Sequence, residues 1–258
     1  MIELNDSLLA ISQLGKTYRH NKETRQVLDD VSFQVQPGEI VSIVGPSGCG
    51  KSTLLHLIAG FDQAYQGQIL FAGQTVKAPS TERGMIFQTP QLFSWLRVRD
   101  NLAFGLKRRK IDSEEMGRRV SEALEQIGMK DFGHYYPDQL SGGMQQRVAL
   151  ARTLVMQPRL LLMDEPFSAL DDLTRANMVQ LTLDLWADYK PAIVFVTHNI
   201  EEAILMADRI YVMRSHPGSL VQEVPVTLSR PRNFTMALSH EFLRIKMTVY
   251  EGLMNRDS

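Results

Sequence analysis

At 258 residues, with 44% apolar and 22% charged side chains, the chain can bury a substantial core as one domain, alone or with a subdomain. Its 28 basic against 29 acidic residues give no overall field that would draw nucleic acid, and its single cysteine excludes an internal disulfide and fits a reducing compartment. The opening MIELNDSLLAISQLGK shows no basic leader ahead of an apolar core, and no apolar run nears the roughly 20 residues of a spanning helix, so work at a membrane would need another anchor.

From residue 7 to about 87, short β-rich runs alternate with turns. Residues 31–35 alternate as a half-buried strand does; Pro37-Gly38 then turns the chain into 40–44, apolar except for Ser42, a buried central strand. A glycine loop follows, then a helix from Ser52 with Leu54, Leu57 and Ile58 on one face and Gly60 as its stop. The stretch from about 89 to 157 reads as helical. Ser113 is placed to cap a helix that gathers Met116, Val120, Ala123 and Ile127 and ends at Gly128, and a second helix begins at Ser141 to Gly143 and buries Met144, Val148 and Ala151. Strand and helix then alternate again: 160–163, a helix through Met178, Leu181 and Leu185, 193–196, a short helix, and 210–213. Such alternation predicts a mostly parallel, helix-covered sheet with an inserted helical subdomain.

The chemistry starts at Gly45. Gly45, Pro46, Ser47, Gly48, Cys49, Gly50, Lys51, Ser52 and Thr53 fit G-x-x-x-x-G-K-[ST] between a strand and a helix, where bare backbone N–H groups curl around phosphate oxygens at the positive end of the helix. Lys51 is expected to neutralise the β- and γ-phosphates of ATP and Ser52 to ligate Mg²⁺. Cys49 either gains acidity at the helix start or fills space there, the second being the simpler reading. The apolar run 160–163 ends in Asp164 and Glu165. Beside a phosphate loop this pair reads as a Mg²⁺ holder, Asp164, and a residue that polarises the attacking water, Glu165, with Pro166 forcing the turn. In LSGGMQQ, residues 140–146, a serine hydroxyl and bare glycine N–H groups at a helix start form an anion site of their own.

Together these motifs resemble the nucleotide-binding subunit of an ATP-binding cassette (ABC) transporter, over nearly all of residues 8–232. The resemblance implies an α/β P-loop NTPase core with an N-terminal antiparallel β subdomain and an inserted helical subdomain. Residues 1–88 and 158–232 would form the core, 89–157 the helical subdomain and 233–258 a C-terminal helix. It implies that Ser141, Gly142, Gly143 and Gln145 serve the ATP held by an opposite subunit, so that the site is split across a dimer. Gln88 is similar to the glutamine that touches Mg²⁺ and the attacking water, and His198 to the histidine that contacts the γ-phosphate. Tyr18 resembles the aromatic that stacks on adenine, and SALD, residues 168–171, the loop that crosses the dimer interface. Asn199 departs from the aspartate common after the histidine, which removes a charge near the switch.

QLFSWL, residues 91–96, the Val98 and Asp100-Asn101 that follow, Pro217-Gly218 and Pro231-Arg232 resemble importers of the nitrate, sulfonate and taurine group, although Ser94 stands where that group usually has proline. The expected partners are a second ATPase subunit, an integral membrane permease and, indirectly, an external solute-binding protein, with no nucleic acid, at the cytoplasmic face of the cell membrane. Phe93, Trp95 and Leu96 either grip a helix of the permease or pack within the subdomain. KRRK at 107–110 faces headgroups or is a solvated loop. Phe234, Leu238, Phe242, Ile245 and Val249 form a helical stripe that docks on its own domain or, second, on a dimer partner. A lipid- or lipoprotein-handling ABC subunit and a non-transport ABC switch are the alternatives.

Overall fold

Alternation decides which way the central strands face. In β3 (Ile40–Val44) every residue is buried, with Ile40 and Val44 in one apolar cluster and Val41 and Ile43 in another, on opposite faces of a sheet. A computed structural model, which describes residues 7–20 and 23–254, places β3 at the middle of six strands. The order is β10 (Ser219–Pro225), β9 (Arg209–Arg214), β3, β8 (Ala192–Thr197), β7 (Leu160–Asp164) and β6 (Arg83–Ile86). All neighbours pair in parallel except β10, which lies antiparallel to β9 at the edge.

A second, antiparallel sheet runs β2 (Glu23–Val35), β1 (Leu9–His20), β4 (Gln66–Phe71) and β5 (Gln74–Thr75). The strand expected over 31–35 is thus the last third of a longer one. Helix α1 (Lys51–Ala59) lies in the cluster shared by both sheets, burying Leu54, Leu55, Leu57 and Ile58. Each such side chain contributes about 1.5–3 kcal/mol when fully buried. Gly60 ends α1 in the left-handed region, as its sequence position implies.

The opposite face of the six-stranded sheet carries α2 (Val98–Arg108), α3 (Ser113–Gln126), α4 (Gly142–Leu154), α5 (Asp172–Tyr189), α6 (Ile200–Met206) and α7 (His240–Met254). The α3 cap is Asp112, whose carboxylate accepts from Glu114 N and Glu115 N, and not Ser113, which is the first helical residue. Both residue types cap well, and the carboxylate one position earlier has the geometry. Val120, Ala123 and Ile127 are buried and Met116 is half-buried, as the periodicity predicts. Ser141 caps α4, its hydroxyl accepting from Met144 N at 3.3 Å.

The C-terminal stripe departs from the single helix expected. Phe234–Leu238 form a short 3₁₀ turn, Ser239 is extended, and its hydroxyl accepts from Phe242 N to open α7. Leu238 is consequently 87% exposed, whereas Phe242, Ile245 and Val249 are buried against α6, β9 and β10. The last four residues of the expected helix, 255–258, lie outside the described residues, as do residues 1–6 of the expected core. Among the described residues, no helix is long and apolar enough to cross a membrane.

Candidate active site

Four strands, β3, β6, β7 and β8, deliver the chemistry to the C-terminal end of the sheet. The segment after β3 turns through Gly45 to Gly50 into α1, and Gly50 sits at φ 104°, a conformation that costs an L side chain strain. There is no room for one either, since a Cβ would lie 2.7 Å from Leu28 Cδ2. The backbone N–H groups of Ser47, Gly48, Gly50 and Ser52 have no intramolecular acceptor among the described residues. They form a bare donor row of the kind that suits an anion.

Lys51 is buried, and its ammonium donates to Gly45 O at 2.9 Å and Pro46 O at 3.0 Å, which holds it at the mouth of the loop. It also stands 3.5 Å from Glu165 Oε1. Ser52 Oγ donates to Asp164 Oδ1 at 2.9 Å, across 112 residues of sequence. Burial pushes the Asp164 carboxyl above its ordinary value, and the Ser52 hydroxyl pulls the other way. Thr53 follows on α1, half-buried.

Glu165 adopts φ 43° immediately beyond β7, so its side chain turns back over the end of the sheet while its N–H donates to Val196 O. Its Oε2 lies 2.9 Å from His198 Nδ1, and the imidazole is half exposed. Lys51, Glu165 and His198 therefore form one contiguous line. Gln88, exposed just past β6, joins through a hydroxyl: its Nε2 donates to Ser168 Oγ at 3.2 Å, which donates to Glu165 O at 3.0 Å. The structure brings Lys51, Ser52, Gln88, Asp164, Glu165 and His198 together, with Ser168 as a bridge.

Cys49 is fully buried, its Sγ beside the position a Gly45 Cβ would take. Burial pushes the thiol up, outweighing the nearby Lys51 charge, so the space-filling reading holds and acidification at the helix start does not. Gly218 explains the Pro217-Gly218 turn: a Cβ there would fall 2.0 Å from Cys49 O, and its N–H and C=O bond to Val27 and Asp29. Tyr18 is on β1 opposite Arg25, two residues beyond Lys16, whose partner Leu28 touches the phosphate loop. Its ring is exposed, with the Lys16 ammonium 4.6 Å from the centroid.

The signature segment lies elsewhere. Helix α4 packs on α2, β6 and α5, and no hydrogen bond or ion pair joins residues 140–146 to 45–53 among the described residues. Ser141 and Gly142 are exposed, and Gly143 lies so close to α5 that a Cβ would be 2.7 Å from Thr174 Cγ2. Gln145 behaves differently from its neighbours: its amide donates to Pro137 O at 2.8 Å and Leu140 O at 3.3 Å, bracing the approach to the helix.

A second network carries no motif. Arg175 on α5 donates to Phe167 O and Leu170 O and pairs with buried Glu202 at 3.3 Å, while Thr197 donates to Glu202 Oε2 at 2.8 Å. It ties residues 168–171 to the segment bearing His198. Burial raises the Glu202 carboxyl above its ordinary value despite both partners. The available signal was an acidic pair, Glu201-Glu202, opening a short helix whose second member falls on the inner face. Asn199 accepts from Glu201 N and Glu202 N, so an amide oxygen meets the capping requirement without the charge of an aspartate.

Phe93 packs on Trp95 and Phe104 at centroid distances of 5.4 and 4.5 Å with Arg152 over its ring, while Trp95 is 71% exposed. Phe93 thus packs within the subdomain, whereas Trp95 faces outward. Residues 107–110 are all exposed, with Arg109 hydrogen-bonded to Met156 O and Thr81 Oγ1.

Residues 28–168 match the family model described as ABC transporter. An aliphatic sulfonates import ATP-binding protein of Bacillus thuringiensis is 40% identical over 239 residues, 93% of this chain and 94% of that one. A taurine import ATP-binding protein of Pelagibacter ubique is 43% identical, covering 88% and 83%. A nitrate import ATP-binding protein of Synechocystis is 40% identical, covering 90% and 89%. Among solved structures, a dimeric bacterial ABC transporter cassette superposes with a TM-score of 0.76 at 31% identity, covering 86% of this chain and all of that one. Another, dimeric and bound to ADP and phosphate after hydrolysis, gives 0.75 at 31% identity with the same coverage. On the family match and on relatives about 40% identical over most of its length, the chain belongs to the ABC transporter family as one of its ATP-binding, ATP-hydrolysing subunits.

Proposed function

We propose that this subunit works as a homodimer and energises import of a small anionic or zwitterionic solute of the sulfonate, taurine or nitrate class through a separate permease. A solute-binding protein outside the membrane would deliver the cargo, and the cassette pair would sit against the permease at the cytoplasmic face. The names of the relatives above support the solute class, and they speak against the lipid-handling alternative. The exposed Trp95, seated on the Phe93 and Phe104 rings, supports that flank as the permease contact.

The observation that carries the mechanism is the line Lys51, Glu165, His198 beside the Ser52–Asp164 pair. In this reading the bare N–H row and Lys51 hold the phosphates, Tyr18 stacks on adenine, and Glu165 accepts a proton from the attacking water. His198 fixes the Glu165 carboxylate and meets the γ-phosphate. Gln88 and Ser168 set the position of the Glu165 backbone. The Ser52 hydroxyl, the Asp164 carboxylate and the Gln88 amide oxygen are hard oxygen donors that suit Mg²⁺, which keeps waters and substrate phosphates as its other ligands. When bound, the ion neutralises phosphate charge; it would also hold the buried Asp164 carboxyl in its ionised form. Ser141 and the N–H groups of Gly142 and Gly143 would close on the γ-phosphate of the second copy, with Gln145 shaping the loop from within. The segment 89–157 is proposed to move with them as a helical subdomain of the core formed by 1–88 and 158–232.

Steady-state ATPase and gel filtration of Glu165→Gln test this. Hydrolysis is expected to fall about 10²- to 10⁴-fold while ATP drives the variant into a stable dimer. Normal turnover by that variant would remove Glu165 from the mechanism.

A further inference from the structure

Helix α7 has two apolar faces, and its fold uses one. Phe242, Ile245 and Val249 are buried on α6, β9 and β10, and the Lys246 ammonium donates to Glu201 at 2.6 Å, so the helix is pinned to α6 by packing and by charge. At 100° per residue, Leu243, Met247, Tyr250 and Met254 recur at intervals of four, three and four along a different face, all four exposed. Single exposed apolar side chains need no explanation, but a stripe about 16 Å long on a pinned helix is an apolar face that its own fold leaves uncovered.

Two further observations select the occupant. Arg244 and Glu251 are both exposed on the flank of this stripe and have no ion-pair partner among the described residues. They are seven residues apart and so lie on the same side of the helix. In an antiparallel pair of identical helices, with Met247 against Tyr250 of the second copy and Leu243 against its Met254, Arg244 of each falls within about 3 Å along the axis of Glu251 of the other. The stripe is thus self-complementary in charge as well as in apolar pattern, which is what a two-fold contact requires. Location agrees: one cleft of about 610 Å³ is lined by Asp172 and His198 at one end and by Tyr250 and Leu253 of α7 at the other. A second copy that closed over the site beside His198 would meet Tyr250 of the stripe. An anionic lipid surface is a poorer fit, because the described part of α7 carries acidic as well as basic residues and its lysine is already paired.

We propose that the outer face of α7 is a second contact between two copies of this chain, packed antiparallel on itself. It rests on the homodimer proposed above. Four side chains and two ion pairs are less than a stable interface needs, so the contact supplements the nucleotide-linked face and keeps the copies in register as that face opens.

The dissociation constant of the ATP-bound Glu165→Gln dimer, measured by sedimentation, tests it. Met247→Glu and Arg244→Glu, each introduced into that full-length chain, are expected to weaken the dimer about tenfold. Combining Arg244→Glu with Glu251→Arg is expected to restore it, which a merely misfolded variant would not do. An unchanged constant in Met247→Glu, or no rescue by the charge swap, overturns the α7 contact while leaving the ATPase reading intact. If ATP fails to dimerise the Glu165→Gln chain at all, the homodimer reading falls and this inference with it. Loss of permease binding by Met247→Glu with an unchanged dimer constant would assign the face to the permease and overturn the proposal.

Discussion

The phosphate loop and the signature helix are both helix N-termini bearing serine and bare glycines, yet one is a finished pocket and the other an open end. Around the loop, Gly45 O and Pro46 O hold Lys51, Asp164 holds Ser52, and β2 and Gly218 wall the outside. At α4, Ser141 caps its own helix and Gln145 braces the preceding turn, while Ser141 and Gly142 stay exposed. A helix N-terminus alone offers about half a charge, whereas the loop adds a lysine and a buried carboxylate. Such a difference suits a split site, in which the loop binds nucleotide within one chain and the signature completes it from another.

The largest expected effect separates these two halves. Lys51→Ala should abolish ATP binding by the isolated chain, read by nucleotide fluorescence, because it removes the ammonium held at the mouth of the N–H row. Ser141→Arg should leave that binding within about twofold yet lower hydrolysis by about 10²-fold or more, the scale of removing an oxyanion donor. Mixing the two variants should recover hydrolysis, since one intact loop then meets one intact signature; no recovery would break the comparison.

A smaller effect tests the strut joining residues 168–171 to His198. Arg175→Met leaves Glu202 buried without its cation and should cost about 3 kcal/mol in denaturant unfolding at neutral pH. The Glu202 carboxyl is raised in the folded state, so the fold binds its proton more readily than the unfolded chain. Its contribution is therefore most favourable below the ordinary glutamate range and is lost as pH rises through the raised value. The Arg175→Met penalty should shrink on acidification, and Glu202→Gln in the same chain should relieve it; a pH-independent penalty would assign Arg175 to packing alone. The smallest effect is local: Asn199→Ala removes the cap of α6 and should cost about 1 kcal/mol, read as a shift in midpoint with unchanged slope.

Contiguous signals were legible. Strand, glycine loop and helix arrive in one run of residues, and the five-residue strand β3 stands where the apolar run and the Pro37-Gly38 turn put it. Caps were legible to within one residue, Asp112 rather than Ser113 for α3, because adjacent residues of similar capping power differ only in backbone geometry. The break at Ser239 was present in the sequence as a serine three residues before Phe242, but the apolar period on either side hid it.

By itself, then, the sequence determined the central strand with its glycine loop and helix, the carboxylate pair after an apolar strand and the family, since each depends on neighbours a few residues apart and on backbone conformations those residues prefer. Only the tertiary structure decided that Ser168 links Gln88 to Glu165, that Arg175 reaches Glu202, and that α7 keeps a second apolar face uncovered. Those facts depend on how strands and helices distant in the chain lie beside one another. Packing geometry sets that, and no local preference encodes it.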